Sequence, residues 1–125
     1  MNNFKSFEEL GCWKEARNLR LFVSKQIISN LPNHEKFCLS SQLRRASRSV
    51  THNIAEGYGR YHFKENAQFC RISRGSLYEL LDQLIVAFDE GNINESKSIQ
   101  LKNDTIECIK ILNGYINYLV KNKSN

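Results

Sequence analysis

The sequence predicts an all-α fold, an antiparallel up-down four-helix bundle formed by one domain over residues 1–125. Three observations predict it. Apolar residues recur at steps of three and four in four segments, as they do on the buried side of a helix. Only one proline and six glycines interrupt the chain, which leaves few breaks in long helices. No segment alternates apolar and polar residues over the length of a strand. Short connections between four helices favour antiparallel packing.

The first helix is expected from about Phe7 to Asn30. The Leu31-Pro32-Asn33 segment ends it, because proline lacks an N–H and disfavours helical geometry in the residue before it. Its apolar side consists of Leu10, Trp13, Ala16, Leu19, Val23 and Ile27.

The second helix is expected from about His34 to Glu56, with Asn33 as its N-cap and Gly57-Tyr58-Gly59 as a glycine stop. Its apolar side consists of Leu39, Leu43, Ala46, Val50 and Ile54.

The third helix is expected from about Phe63 to Glu90, and Gly91 opens the turn that follows it. The fourth begins at Asn94 or Glu95 and ends near Lys121. The apolar side of the third helix consists of Cys70, Leu77, Leu80, Leu81, Leu84 and Phe88. The apolar side of the fourth consists of Ile109, Leu112, Ile116 and Leu119.

The four cysteines Cys12, Cys38, Cys70 and Cys108 fall on different predicted helices and form no CxxC pair. Small buried hydrophobes are placed in this way, so we expect reduced thiols in a cytoplasmic protein, with a disulfide as the alternative. The N-terminus lacks the apolar core of a signal peptide, and no run reaches the ~18 apolar residues of a membrane span. No membrane association is expected.

Positive charge is concentrated in residues 41–75, which hold seven basic and two acidic residues. Seven minus two equals the net charge of the whole chain, +5, and the rest of the chain carries 11 of each sign. We expect a basic patch, continuous across the second and third helices, that binds RNA or DNA through phosphates. The aromatic residues Tyr58, Tyr61 and Phe63 lie in the same turn and suit stacking on bases. The alternative is a solvated face, or arginines consumed by structural ion pairs. The expected nucleic-acid contacts are Arg44, Arg48, Arg60, Lys64, Arg71 and Arg74.

A polar stripe runs beside the apolar stripe of the second helix, and the third helix carries a comparable one. Arg45 and Glu79 are expected to pair across a helix–helix or subunit seam. Gly75 lies inside the third helix, where glycine is unfavourable, which suggests close approach of a neighbouring backbone. We expect a polar network that fixes helix register or subunit contacts; the alternative is that these groups face water. Its expected members are Gln42, Arg45, Ser49, Asn53, Glu56, Ser76 and Glu79.

Signals of catalysis are weak. His52 and Glu56 have metal-ligand spacing but lack a third ligand, and HExxH is absent. Ser76 follows Gly75 without a Gly-x-Ser-x-Gly motif. Cys70 beside Arg71 is the one faint nucleophile, and packing explains it better. We expect no catalytic residue, no metal and no cofactor, and a protein that is not an enzyme.

At these residues the chain resembles the four-helix-bundle proteins encoded in intervening sequences of bacterial 23S ribosomal RNA genes, often labelled ribosomal-protein-like. The resemblance covers about residues 4–91, and Ser47 and Val50 depart from its usual alanine and isoleucine. Its motifs are Phe7, Leu10, Trp13 and Ala16; Leu31-Pro32 with Glu35; Gln42-Leu43-Arg44-Arg45-Ala46; Asn53-Ile54-Ala55-Glu56-Gly57 with Arg60; and Phe69 with Gly75-Ser76-Leu77-Tyr78-Glu79-Leu80.

The resemblance implies an all-helical protein that forms a ring-like homo-oligomer, a homopentamer in similar proteins. A related branch comprises the accessory variability determinants of diversity-generating retroelements, which are basic and pentameric and bind nucleic acid and a reverse transcriptase. The resemblance therefore implies a non-enzymatic accessory protein with itself, RNA or DNA, and a reverse transcriptase or other protein as partners. A protein–protein interaction scaffold, in which the basic residues serve subunit contacts, is the alternative.

Overall fold

The computed structural model describes residues 6–33 and 38–122. They form four α-helices, which confirms the all-α class. The helices are α1 (Gly11–Phe22), α2 (Leu39–Tyr58), α3 (Phe63–Asp89) and α4 (Glu95–Lys121). Three short helical segments extend the first of them: a 3-10 turn at Phe7–Glu9, a π turn at Val23–Ile27 and a 3-10 turn at Ile28–Asn30.

The helices pack as an up-down bundle. α2 packs most extensively on α3, α3 packs on α4, and α1 closes the bundle by contacting both α2 and α4. α2 and α4 therefore lie on one diagonal, and α1 and α3 on the other. Each helix has two flanks beside its buried stripe, and each flank faces a different neighbour.

The core follows the predicted apolar stripes. Every apolar position predicted for α2 and α4 is buried, and so are Ala16, Leu19, Val23 and Ile27 of the first helical segment. The prediction for Phe88 was wrong, because its side chain is 39% exposed in the last turn of α3. Leu10 and Trp13 are only partly buried and pack against the core from its edge.

Both ends agree closely with the predicted ones for α3 and α4. The predicted single first helix is divided instead: α1 covers only Gly11–Phe22, Leu10 before it is extended, and the π and 3-10 turns continue to Asn30. α3 ends one residue before the predicted Glu90, and Gly91 follows with a left-handed φ of 78° that suits glycine. The N-cap of α4 is Asn94, whose side chain accepts a hydrogen bond of 2.8 Å from the backbone N–H of Lys97. The predicted start of the second helix at His34 lies in residues 34–37, outside the described residues.

The glycine at a close approach of two helices is not the predicted one. A Cβ on Gly75 would meet no atom within 4 Å, so the expected close approach at Gly75 was wrong. The predicted Gly57-Tyr58-Gly59 stop is confirmed, because α2 ends at Tyr58 and Gly59 is its C-cap. A Cβ on Gly57 would lie 2.8 Å from the Asn66 side-chain oxygen and 2.9 Å from the Cβ of Phe69. The close approach of α2 and α3 is therefore at Gly57.

Within the described ranges, no helix is long and apolar enough to cross a membrane.

Candidate nucleic-acid interface

The flank of α2 that faces α3 carries a ladder of polar contacts. Arg45 donates to and forms an ion pair with Glu79, and Gln83 donates to the side-chain oxygen of Gln42. We call these contacts, with those of Ser49, Ser76 and Asn53, the polar ladder. They join α2 to α3 within one chain.

At the centre of the ladder, the hydroxyl oxygens of Ser49 and Ser76 lie 2.7 Å apart in a hydrogen bond. Asn53 donates to the Ser49 hydroxyl at 3.0 Å. Ser76 is buried, Ser49 and Asn53 are half-buried, and Gln42 and Arg45 are exposed. The ladder thus runs from the edge of the core to the surface, and it fixes the register of α2 on α3.

Glu56 does not join the ladder, although its spacing predicted it. It accepts a hydrogen bond of 3.2 Å from Arg60, whose guanidinium also lies 3.8 Å from the Glu65 carboxylate. The Arg60 guanidinium further lies 4.9 Å from the centre of the Phe69 ring. Arg60 is therefore committed to a local structural cluster.

Arg44 and Arg48 lie on the opposite flank of α2, which faces α1. Thr51 marks this flank, because its hydroxyl accepts a hydrogen bond of 2.8 Å from Arg20 of α1. Arg48 and Arg44 precede Thr51 by three and seven residues, and these steps return to the same side of a helix. Arg44 makes a long hydrogen bond of 3.4 Å to Ser40 of its own helix.

Sequence reasoning missed two arginines of α1 that extend this flank. Arg20 contacts Thr51, and Arg17, three residues before Arg20, lies 5.8 Å from the centre of the Trp13 ring. Their spacing was a usable signal, but they lie outside the window of residues 41–75. We call the set Arg17, Arg20, Arg44 and Arg48 the α1–α2 arginine face.

Lys64, Arg71 and Arg74 lie on the flank of α3 that faces α4. Arg74 donates a hydrogen bond of 2.8 Å to the side-chain oxygen of Asn113 on α4. Lys64 and Arg71 line a groove of about 690 Å³ together with Phe63 and with Lys121 of α4. We call the set Lys64, Arg71 and Lys121 the α3–α4 cationic groove. Lys121 was also missed from the sequence.

The six predicted contacts therefore do not form one continuous surface, and that expectation was wrong. Each residue turns a helix by about 100°, so Arg44 and Arg45 point to different neighbours although they are adjacent. The polar ladder occupies the seam between α2 and α3, and the unpaired cations lie on the far flank of each helix. The cations of α2 therefore face the α1–α2 side of the bundle, and those of α3 face the α3–α4 side, which is opposite to it.

Most of these cations have no carboxylate partner. Among the described residues, ion pairs within 4.0 Å use only Arg45 and Arg60 of the seven basic residues in the window. Arg44, Arg48, Lys64, Arg71 and Arg74 pair with no described carboxylate. The interpretation that structural ion pairs consume the arginines thus applies to two positions and leaves five cations for another anion.

The thiols are poorly suited to nucleophilic chemistry. Cys12, Cys70 and Cys108 are buried, and burial raises their pKa to about 11, 12 and 12, so they stay protonated at neutral pH. Burial raises the pKa of Cys70 by more than the Arg71 charge lowers it. In residues 6–33 and 38–122 no group of three or more His, Cys, Asp or Glu side chains is arranged to hold a metal ion.

The fold and the charged flanks define a basic, all-helical up-down bundle with an intrachain polar ladder. Over residues 8–114 the chain matches the model of the family described as 23S rRNA-intervening sequence protein, and it belongs to that family. No curated protein matches the chain.

The bundle is similar to a solved structure, that of a protein of unknown function from the S23 ribosomal protein family of Bacteroides thetaiotaomicron VPI-5482. The TM-score is 0.77 with 20% sequence identity, and the match covers 85% of this chain and 95% of that chain. At this level of identity the likeness concerns the fold.

Proposed function

We propose that the protein is a non-enzymatic accessory protein that binds the phosphate backbone of RNA or DNA and acts as a homo-oligomer. The observation that carries the proposal is the α1–α2 arginine face, four guanidinium groups on two adjacent helices with no described carboxylate paired to them. Arginine suits phosphate because its planar fork donates two parallel hydrogen bonds. Phosphate contacts position a protein on nucleic acid without reading sequence, so little sequence preference is expected.

Oligomerisation has a separate support, an apolar strip on the outer seam between α3 and α4. The contact of Arg74 with Asn113 places these flanks side by side, and steps of three and four along both helices continue the seam. The strip consists of Tyr78, Ile85, Phe88, Ile99 and Ile106, each at least 37% exposed. Exposed apolar patches of this kind mark interaction surfaces. A second copy of the chain that covers the strip would repeat the arginine face and increase avidity.

The phosphate contacts are tested by measuring binding to a short duplex over a salt series. Each phosphate neutralised contributes about −0.9 to the slope of log K against log salt. Arg44→Gln with Arg48→Gln should reduce the magnitude of the slope by about 1.8. The matched control is Arg45→Gln with Arg60→Gln, which removes the same charge from the two arginines of the window that already pair with carboxylates. An equal change in both variants, or no binding by the native protein at low salt, would contradict the proposal.

A protein–protein scaffold is the second candidate, and a specific observation favours it. Glu15, Asp104 and Glu107 line one shallow groove between α1 and α4. This acidic seam is complementary in sign to the arginine face, so the two could join neighbouring copies. In that case the Arg44 and Arg48 double variant should lower the assembled mass in sedimentation, and the native protein should bind no nucleic acid. Under the first proposal the double variant keeps its mass, and Ile106→Lys in the apolar strip reduces it.

A further inference from the structure

One end of the bundle contains an aromatic cavity of about 840 Å³. It lies where α2 ends, α3 begins and the last turns of α4 pass, and the 3-10 turn at the N-terminal side closes it. This volume is within the range of about 300–1,000 Å³ that small-molecule pockets occupy. Five of its walls are aromatic rings, those of Phe7, Tyr58, Tyr61, Phe63 and Tyr115.

Tyr115 lines the cavity and carries a hydroxyl that can donate a hydrogen bond. The Tyr115 hydroxyl accepts a hydrogen bond of 3.0 Å from the buried Asn66 side chain, so its own proton is left to donate. No described residue accepts that proton. Burial raises the pKa of Tyr115 to about 12, so the hydroxyl remains protonated at neutral pH. The ring is held in place by stacking on Tyr118, with ring centres 6.3 Å apart and planes 14° apart.

The rim is strained at Tyr61, whose φ of 63° lies in the left-handed region that favours glycine. Its ring is 79% exposed at the mouth of the cavity. Left-handed geometry in a bulky residue costs free energy and is concentrated at ligand-binding sites. The strain is therefore a second sign, independent of the cavity's shape, that this loop is built for a ligand.

Cations lie on both sides of the cavity. Phe63 is shared between the cavity and the α3–α4 cationic groove, with its Lys64, Arg71 and Lys121. On the other side, Phe7 and Ala55 are shared with a groove of about 450 Å³ that contains Arg20 of the arginine face. The same groove contains the Glu56 carboxylate, whose charge is paired with Arg60. Glu8 is the one carboxylate among the described residues that line the cavity, and it accepts a hydrogen bond of 3.2 Å from Ser6. The end of the bundle thus connects the two cationic groups that the helices keep apart.

We propose that the aromatic cavity takes one unpaired base of single-stranded RNA or DNA, while Arg20 on one side and Lys64, Arg71 and Lys121 on the other hold the flanking phosphates. This inference rests on the proposed nucleic-acid function and specifies its ligand. Bases present a flat face for aromatic stacking and acceptor atoms for the Tyr115 hydroxyl. A base inside a duplex cannot enter the cavity, because both of its flat faces are stacked on neighbouring bases and its pairing edge is occupied. The cavity therefore distinguishes single strands from duplex, and the phosphate contacts do not.

The test compares the affinity of the full chain for a labelled 15-nucleotide single strand with its affinity for a duplex of the same length, by fluorescence anisotropy at one salt concentration. Ala55→Phe fills the cavity from the half-buried wall of α2 without changing the charge. Tyr61→Gly removes the ring at the mouth and relieves the left-handed strain, so reduced folding would not explain a loss of binding. Each variant should weaken single-strand binding about ten-fold, which is the scale of one stacked base, and leave duplex binding and the salt slope unchanged.

Other outcomes overturn the inference in distinguishable ways. Single-strand binding that survives both substitutions, with duplex binding intact, removes the base cavity and leaves the phosphate proposal standing. A native protein that binds neither form at low salt overturns both proposals. A free nucleoside monophosphate that binds as tightly as the strand, and is weakened by Ala55→Phe, assigns the cavity to a free nucleotide instead.

Discussion

The two flanks of α2 use arginine in different ways. Arg45, on the flank facing α3, is paired with Glu79 and belongs to the polar ladder. Arg44, its neighbour in sequence, lies on the flank facing α1, and among the described residues its guanidinium hydrogen-bonds only to Ser40 of its own helix. One step of about 100° separates a structural arginine from one that is left for an external anion. The count of basic residues in a segment is therefore a weaker guide to binding than the flank on which each residue lies.

The largest expected effect among the α2 substitutions comes from Gly57, at a close approach of α2 and α3. Gly57→Ala places a methyl group 2.8 Å from the Asn66 oxygen and 2.9 Å from the Phe69 Cβ, so it should lower the free energy of unfolding by about 1–3 kcal/mol. Gly75→Ala is the matched control: its Cβ meets nothing, and it should raise stability by about 0.5–1 kcal/mol. Urea denaturation measures both, and shifts of the same sign would contradict this assignment of the two glycines.

A rise in pH should lower the stability of the fold through the buried thiols of the core. The folded chain holds the pKa of Cys12, Cys70 and Cys108 at about 11, 12 and 12, against 9.0 for an ordinary thiol. The unfolded chain loses these protons first, so stability is fully present below about pH 9 and falls as pH rises towards 11 to 12. The urea midpoint should therefore decrease from pH 8 to pH 10.5. Cys38→Ser should leave the decrease unchanged, since Cys38 is exposed, and a flat midpoint would contradict the burial of the thiols.

The smallest expected effect comes from the ladder's ion pair. Both side chains of the Arg45–Glu79 pair are at least 36% exposed, so water and salt screen the interaction. Glu79→Gln should lower the free energy of unfolding by only about 0.2–1 kcal/mol, and high salt should reduce the difference further. A loss that is much larger, or one that is accompanied by dissociation of an oligomer, would show that the ladder serves a subunit seam as well as the α2–α3 seam.

The helices could be predicted from the sequence, because the apolar residues of each one recur at steps of three and four within a single segment. The Arg45–Glu79 contact was also predictable, since both residues lie on polar stripes next to the core. The placement of the basic residues on two separate sides of the bundle was not predicted, although the sequence contained the signal for it. A helical wheel anchored on Ser49 and Ser76 places Arg44 and Arg74 on the far flanks of their helices.

The remaining features depend on distant parts of the chain that meet only after folding. The aromatic cavity joins Phe7, Tyr61 and Tyr115, which are separated by more than 100 residues between the first and last. Whether a glycine lies at a close helix contact, as Gly57 does and Gly75 does not, depends on the interhelical distance along the seam. An isolated glycine in a helical pattern does not reveal that distance.

The most direct test of the account compares Arg44→Gln with Arg45→Gln in duplex binding over a salt series. Both variants lose one positive charge at adjacent positions, so a dependence on net charge alone predicts equal effects. We expect Arg44→Gln to reduce the magnitude of the log–log slope by about 0.9 and Arg45→Gln to leave it unchanged, because only the first removes a phosphate contact. Equal slopes for the two variants would contradict the claim that the flank facing α1 binds phosphate.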